Sequence, residues 1–186
     1  MNLSDKSKKS VHPYVQLARK TVERHLRGDI PVAGGFEVDG DDALWNMERA
    51  CFVSIKTKAG ALRGCIGTIS PMLGSLDREI IANAISAATR DPRFSSMTEE
   101  ELEDVVFSVD VLSLPEPVTD LAELDPKKWG VIVSNGGRKG VLLPDLDGVD
   151  SVRRQLSIAA EKAGISDMHN LVVERFSVDR YEETPE

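Results

Sequence analysis

The sequence is poor in cysteine, in aromatic residues and in long apolar runs. Its 186 residues include two cysteines and 5% aromatic residues. Two cysteines are too few for the disulfide scaffold of a secreted domain, so we expect free thiols in a reducing compartment. No stretch approaches the ~18 apolar residues that cross a bilayer, and residues 1–10 contain lysines but no apolar segment. We therefore expect a cytoplasmic protein without a membrane or secretory segment.

Positive charge is also scarce, because 23 Lys and Arg face 31 Asp and Glu, for a net charge of −8. Affinity for nucleic-acid backbones comes mostly from Lys and Arg, so this balance argues against a nucleic-acid partner. His12, His25 and His169 have no metal-ligand spacing and no cysteine near them in the sequence, which predicts no metal site. The 41% hydrophobic and 29% charged residues are typical of one soluble globular domain or two small lobes.

Turn residues and apolar periodicity predict an α+β fold of antiparallel sheets with packed helices. We expect a disordered arm over residues 1–10 and a single domain over 11–186. Apolar spacings of three and four predict a helix from Pro13 to Gly28, and alternation on both sides of a glycine turn predicts a hairpin from Cys51 to Ile69. A second helix should begin after Ser75 and end before Pro92.

The last third of the chain repeats this order of elements. A strand, strand, helix, strand pattern extends over about 50–114 and again over about 130–182. Lys139-Gly140 matches Arg63-Gly64 in the second strand of each unit, and the four residues from Phe176 match the four from Phe107. The repetition predicts two unequal lobes that arose by internal duplication, and it disfavours a doubly wound α/β fold.

The most unusual local string is Leu62-Arg63-Gly64-Cys65-Ile66-Gly67-Thr68. Strand alternation places Cys65 on the same face as Arg63, and Cys51 on the opposite, core-facing side of the hairpin. A nearby guanidinium favours the thiolate, so Cys65 is a candidate nucleophile, redox thiol or soft metal ligand. The alternative is structural, because a free cysteine is often a small buried hydrophobe.

A second polar string, Asp91-Pro92-Arg93-Phe94, follows the helix that ends at this proline. Arg93 either pairs with a local carboxylate in a helix-ending turn, or faces the Cys65 strand and helps to bind an anion. Asn83 lies on the polar stripe of the preceding helix together with Glu79, and we expect that it can contribute to a site beside Cys65.

With Gly137-Arg138-Lys139-Gly140-Val141-Leu142-Leu143-Pro144, these motifs give the chain a strong resemblance to the AMMECR domain family. Bacterial and archaeal members of that family are often labelled AmmeMemoRadiSam system protein A. The resemblance extends from His12 to Tyr181. It implies an α+β fold in two unequal lobes and gene-neighbourhood association with a Memo-like protein and a radical-SAM enzyme, but no settled reaction or cofactor. Position by position, its motifs fall on Arg63, Gly64, Cys65, Gly67, Asp91, Arg93, Phe94, Arg138 and Gly140.

Two functional hypotheses follow. In the first, the motif around Cys65 forms a small-molecule or catalytic pocket, with Cys65 and Arg63 as the catalytic residues. The substrate-binding residues are then Gly64, Gly67, Asn83, Asp91, Arg93 and Arg138. In the second, the chain is a non-catalytic adaptor that works with the Memo-like protein and the radical-SAM enzyme, and Cys65 only fills space. Reaction, cofactor and oligomeric state stay open at this point.

Overall fold

The computed structural model describes residues 11–29 and 46–184, which form three α-helices and eight strands. The helices are α1 (Pro13–Leu26), α2 (Leu76–Thr89) and α3 (Val152–Lys162), and two 3-10 turns lie at Glu99–Asp104 and Leu121–Glu123. The strands are β1 (Cys51–Thr57), β2 (Leu62–Gly67), β3 (Val105–Leu112), β4 (Glu116–Pro117), β5 (Gly130–Asn135), β6 (Arg138–Leu142), β7 (Val172–Phe176) and β8 (Val178–Glu182). The expected α+β architecture with two antiparallel sheets is therefore confirmed.

The arm over residues 1–10 and the Gly-rich segment over 31–42 lie outside the described residues. None of the helices within 11–29 and 46–184 combines the length and the apolar character that crossing a bilayer requires.

Helix α1 forms where the sequence predicts it. Pro13 occupies the first turn, where its missing N–H costs nothing, and the imidazole of His12 accepts a hydrogen bond from the Tyr14 amide. Val15, Ala18 and Val22 recur at helical spacing and are fully buried. This face of α1 packs against α2 and β3 to close the first core.

The first sheet has the strand order β2-β1-β3-β8, with every pair antiparallel. Alternate residues of β1 face the two helices, so Cys51, Val53 and Ile55 are buried. The residues between them lie on the outer face of the sheet. Strand β2 forms one edge of the sheet.

The second sheet has the order β4-β7-β5-β6 and carries α3 on one side. Its other face packs onto one end of the outer face of the first sheet. Ile132 and Phe176 from the second sheet meet Leu112 from the first in a small shared core, with Phe52 and Val141 at its margin. The rest of the outer face of the first sheet is not part of this apolar cluster.

The two lobes repeat the same contacts at matched positions. Strand β1 pairs with β2 and β3 as β5 pairs with β6 and β7. A Cβ atom on Gly64 would lie 2.1 Å from the Ala87 carbonyl oxygen of α2, and one on Gly140 would lie 2.0 Å from that of Ala159 in α3. Four residues before each of these alanines, an amide side chain of the helix donates a hydrogen bond to a backbone carbonyl at the start of the first strand of its lobe.

These amide contacts are the bond from Asn83 Nδ2 to the Cys51 carbonyl at 3.1 Å and the bond from Gln155 Nε2 to the Trp129 carbonyl at 2.7 Å. Together with the glycine contacts they define a common ββαβ unit in physical terms. Common ancestry of the two units stays a prediction.

The sequence match between the four residues from Phe107 and the four from Phe176 does not correspond to structurally equivalent positions. Through the ladders, Gly64 pairs with Ile55 and Ile55 with Phe107, whereas Gly140 pairs with Val133 and Val133 with Val173. The structural counterpart of Phe107 is therefore Val173 and not Phe176. The residues that follow Phe176 enter β8, which leaves the second sheet and pairs with β3 in the first.

Candidate functional site

Cys65 lies on edge strand β2 with its side chain on the outer face of the first sheet. It pairs with Ser54 across the β1–β2 hairpin, and the Ser54 hydroxyl donates to Cys65 Sγ at 3.1 Å. The residue is half-buried, so the thiol borders both sheet and solvent. Cys51 is fully buried on the opposite face, where burial raises the pKa of its thiol to about 12. The two thiols therefore lie on opposite faces of the hairpin, as strand alternation predicts.

Asp91 and Arg93 cover the backbone of Cys65 at the sheet edge. The Cys65 amide donates to Asp91 Oδ2 at 2.9 Å, and Arg93 Nη2 donates to the Cys65 carbonyl at 3.3 Å. Arg93 also donates from Nε and Nη2 to the two Asp91 oxygens at 2.9 and 2.7 Å. Arg93 therefore pairs with a local carboxylate and also contacts the Cys65 strand, and its part in binding an anion stays a prediction.

We call the contacts of Asp91 and Arg93 with the Cys65 backbone a clamp, and an ion pair joins its two side chains. The Asp91 side chain is 2% exposed and that of Arg93 is 54% exposed. Hydrogen bonds from the Arg93 side chain, and then from the Cys65 amide, hold the pKa of the Asp91 carboxyl well below its usual range. Asp91 raises the pKa of Arg93, with a smaller contribution from the nearby Cys65 thiol. Edge strands leave outward backbone N–H and C=O groups unpaired, but here Asp91 accepts from the Cys65 amide and Arg93 donates to the Cys65 carbonyl.

Arg63 turns away from the thiol. Its Nε and Nη2 donate to the Glu101 carboxylate at 2.7 and 3.0 Å, and Nη1 donates to the Ser95 carbonyl at 3.0 Å. A register shift in the β1–β2 ladder lies at this point, which interrupts simple alternation. The expected pairing of Arg63 with Cys65 on one face is therefore replaced by an ion pair with the 3-10 turn. Leu62, expected in the core, is 38% exposed.

The glycines of the motif serve packing. Gly64 lies against α2 as described above, and a Cβ atom on Gly67 would lie 2.3 Å from the Phe52 ring. Both positions therefore exclude a side chain because protein atoms already fill the space.

The structure does not bring Asn83 or Arg138 to Cys65. Asn83 is buried beside Cys51, and Glu79 on the same helix is buried as well. Glu79 accepts hydrogen bonds from the Thr68 hydroxyl at 2.7 Å and the Leu73 amide at 2.8 Å. The predicted polar stripe of α2 is thus buried at these two positions, because the loop after β2 covers Glu79 and the start of β1 covers Asn83.

Arg138 lies in the second lobe, where it donates to the Gly164 carbonyl. It lines a cavity of about 300 Å³ together with Asn135 and Asp167. A larger cavity of about 750 Å³ lies between α1 and the Glu99–Asp104 turn, and no predicted site residue lines it. Cys65 therefore lies on a sheet face outside both of these cavities.

The outer face around Cys65 holds polar residues that the sequence analysis missed. A row across the sheet runs from Cys65 through Ser54 to Ser108. In the next row Asp110 accepts from Arg180 Nε and Nη2 at 2.7 and 2.8 Å. Ser54 could have been found from the alternation of β1, but Asp110 and Arg180 are 70 residues apart and no local signal joins them.

The described ranges contain no group of three or more His, Cys, Asp or Glu side chains placed to hold a metal ion. The arrangement instead offers a thiol, a hydroxyl donor and a fixed edge strand. Such a set can bind a small polar molecule or hold a thiolate in place.

Comparison with known proteins agrees with this fold. A family model described as AMMECR1 matches residues 15–184. A protein of Thermotoga maritima is 47% identical over 175 residues, which cover 91% of this chain and 97% of that protein. A protein of Clostridium acetobutylicum is 45% identical over 183 residues, and the match covers 97% of this chain but 38% of that longer protein.

A crystal structure of an uncharacterised protein from Pyrococcus horikoshii superimposes with a TM-score of 0.79 at 28% identity. The superposition covers 92% of this chain and 90% of that one.

Proposed function

This chain belongs to the AMMECR1 family, and Asp91 and Arg93 of its motifs both contact the backbone of Cys65. We therefore propose that the outer sheet face around Cys65 is a small-molecule or catalytic site. Cys65 is the reactive or ligand-contacting group, and Ser54 hydrogen-bonds to it. Asp91 and Arg93 position the thiol by holding its backbone. Part of the proposal is a cytoplasmic location, where the thiol stays reduced.

The observation that carries this proposal is the difference between the two matched units. The pair that matches Ser54 and Cys65 in the second lobe is Ile132 and Val141, which belongs to the apolar core between the lobes. In the first lobe the same positions carry a hydroxyl and a half-exposed thiol. Neither polar group is needed to fill a core, so packing alone does not account for them.

Alkylation of the native protein tests this site, with Cys51 as the internal control. Under limiting iodoacetamide, we expect Cys65 to be modified much faster than Cys51, whose thiol is fully buried. Peptide mass spectrometry gives the two rates separately. A Cys65 rate no greater than that of the buried thiol up to pH 9 would contradict the proposal.

A second candidate function is an adaptor that acts with a Memo-like protein and a radical-SAM enzyme. The Clostridium acetobutylicum relative favours it, because the matching region is 38% of a longer chain and so occurs joined to further sequence. Binding of the Memo-like protein to wild type and to Cys65→Ser separates the candidates by calorimetry. An adaptor keeps its affinity in the variant, whereas a Cys65 site loses ligand binding or activity.

A further inference from the structure

Several charges on the outer face near Cys65 are paired, but within 11–29 and 46–184 two have no ion pair: Lys56, and Glu182 at the far end of the row through Ser54 and Ser108. Three arginines near Cys65 contact carboxylates, in the pairs Arg63 with Glu101, Arg93 with Asp91 and Arg180 with Asp110. Lys56 is exposed, and within 11–29 and 46–184 it has no ion pair and no side-chain hydrogen bond. Arg63 and Arg93, the two motif arginines nearest Cys65 in the sequence analysis, are thus already occupied, while the ammonium group of Lys56 on the outer face is not.

The position of Lys56 follows from the register of the sheet. Strand β1 pairs regularly with β3, so Lys56 shares the outer face with Ser54, which lies opposite Cys65. Diagonal neighbours on one sheet face have Cβ atoms roughly 7–8 Å apart. The four-carbon stem of lysine can carry its ammonium group across that separation. A ligand bound at the thiol therefore lies within reach of this charge.

We propose that Lys56 selects anionic small molecules, carrying a carboxylate or a phosphate group, for the Cys65 site. The inference rests on the proposed function and adds a ligand class to it. An exposed ammonium is strongly hydrated, so its attraction for an anion is modest and sensitive to salt. It is still large enough to separate two reagents that differ only in charge.

Iodoacetate and iodoacetamide are such a pair, because both alkylate a thiolate with loss of iodide and only iodoacetate is anionic. We expect the ratio of the iodoacetate to the iodoacetamide rate at Cys65 to fall about three- to fivefold in Lys56→Met at low salt. Lys58→Met, which changes an exposed lysine in the turn after β1, should leave the ratio unchanged. Thermal unfolding of both variants checks that they fold like wild type.

Protection by added ions separates the two anion types. Inorganic phosphate that slows the iodoacetate reaction in wild type but not in Lys56→Met indicates a phosphate ligand, and acetate that does so indicates a carboxylate ligand. An equal rate ratio in wild type and Lys56→Met overturns the role of Lys56 while the site stands. A Cys65 that neither reagent modifies overturns the proposed function itself, and this inference with it.

Discussion

Replacing Asp91 by alanine should destabilise the protein by removing the clamp on the Cys65 strand. The substitution leaves the Cys65 amide without its partner, since that amide points away from β1 at the sheet edge. An unsatisfied buried donor costs about 1–3 kcal/mol. The Arg93 side chain is half-exposed, so its ion pair with Asp91 adds only about 0–1 kcal/mol. The total is about 1–4 kcal/mol at neutral pH.

Chemical denaturation of wild type and Asp91→Ala measures this difference, and thermal unfolding should show a melting temperature lower by roughly 2–16 °C. The effect should depend on pH with a definite sign. The folded state lowers the pKa of Asp91, so its stabilisation is complete above the unfolded value of ~3.9 and is lost as the pH falls below it. The difference between wild type and Asp91→Asn should therefore shrink in acid.

Hydrogen exchange adds a local readout, because the Cys65 amide should lose protection in Asp91→Ala while the amides of β5 keep theirs. A loss of stability below about 0.5 kcal/mol at pH 7 would show that water or a rearranged loop satisfies the strand edge equally well. The proposed positioning role of Asp91 would then have no energetic basis.

Two other features give measurable effects. Gly64→Ala and Gly140→Ala should each cost about 1–3 kcal/mol or more in denaturant unfolding, because each new methyl group meets a helix carbonyl oxygen; a neutral effect of either would refute the close approach. His12 caps α1 with an unprotonated nitrogen, and burial lowers its pKa, so its stabilisation is present above the unfolded value of ~6.5 and declines below it. His12→Ala should remove this pH dependence and cost about 1 kcal/mol at pH 8, and a pH profile that matches wild type would contradict the cap.

Local patterns in the sequence predict the elements of this fold well. The helix over Pro13–Leu26 follows from its apolar spacing and its N-terminal proline, and the hairpin around Cys51 and Cys65 follows from alternation. The same alternation correctly separates the two thiols onto opposite faces. These features depend on neighbours within a few residues, which is the range over which periodicity carries information.

Contacts between distant segments could not be obtained in this way. The repeated pattern predicts one strand at the end of the second unit, but the chain divides there at Ser177 between β7 and β8, which belong to different sheets. Glu79 and Asn83 are polar and were placed on a solvent stripe, although both are buried. Their burial is stabilised by partners elsewhere in the chain, which a helical period does not reveal.

The return of β8 to the first sheet has a consequence for how the chain folds. Strand β3 has one sheet neighbour in β1 and acquires its second only when Val178–Glu182 arrives, after the whole second lobe. The Arg19 guanidinium of α1 is likewise held by Glu183, 164 residues away. During synthesis on a ribosome, the first lobe therefore lacks β8 and Glu183 until the second lobe has emerged. Such long-range closure slows folding, because the loop-closure entropy must be lost before the contacts of β8 and Glu183 form.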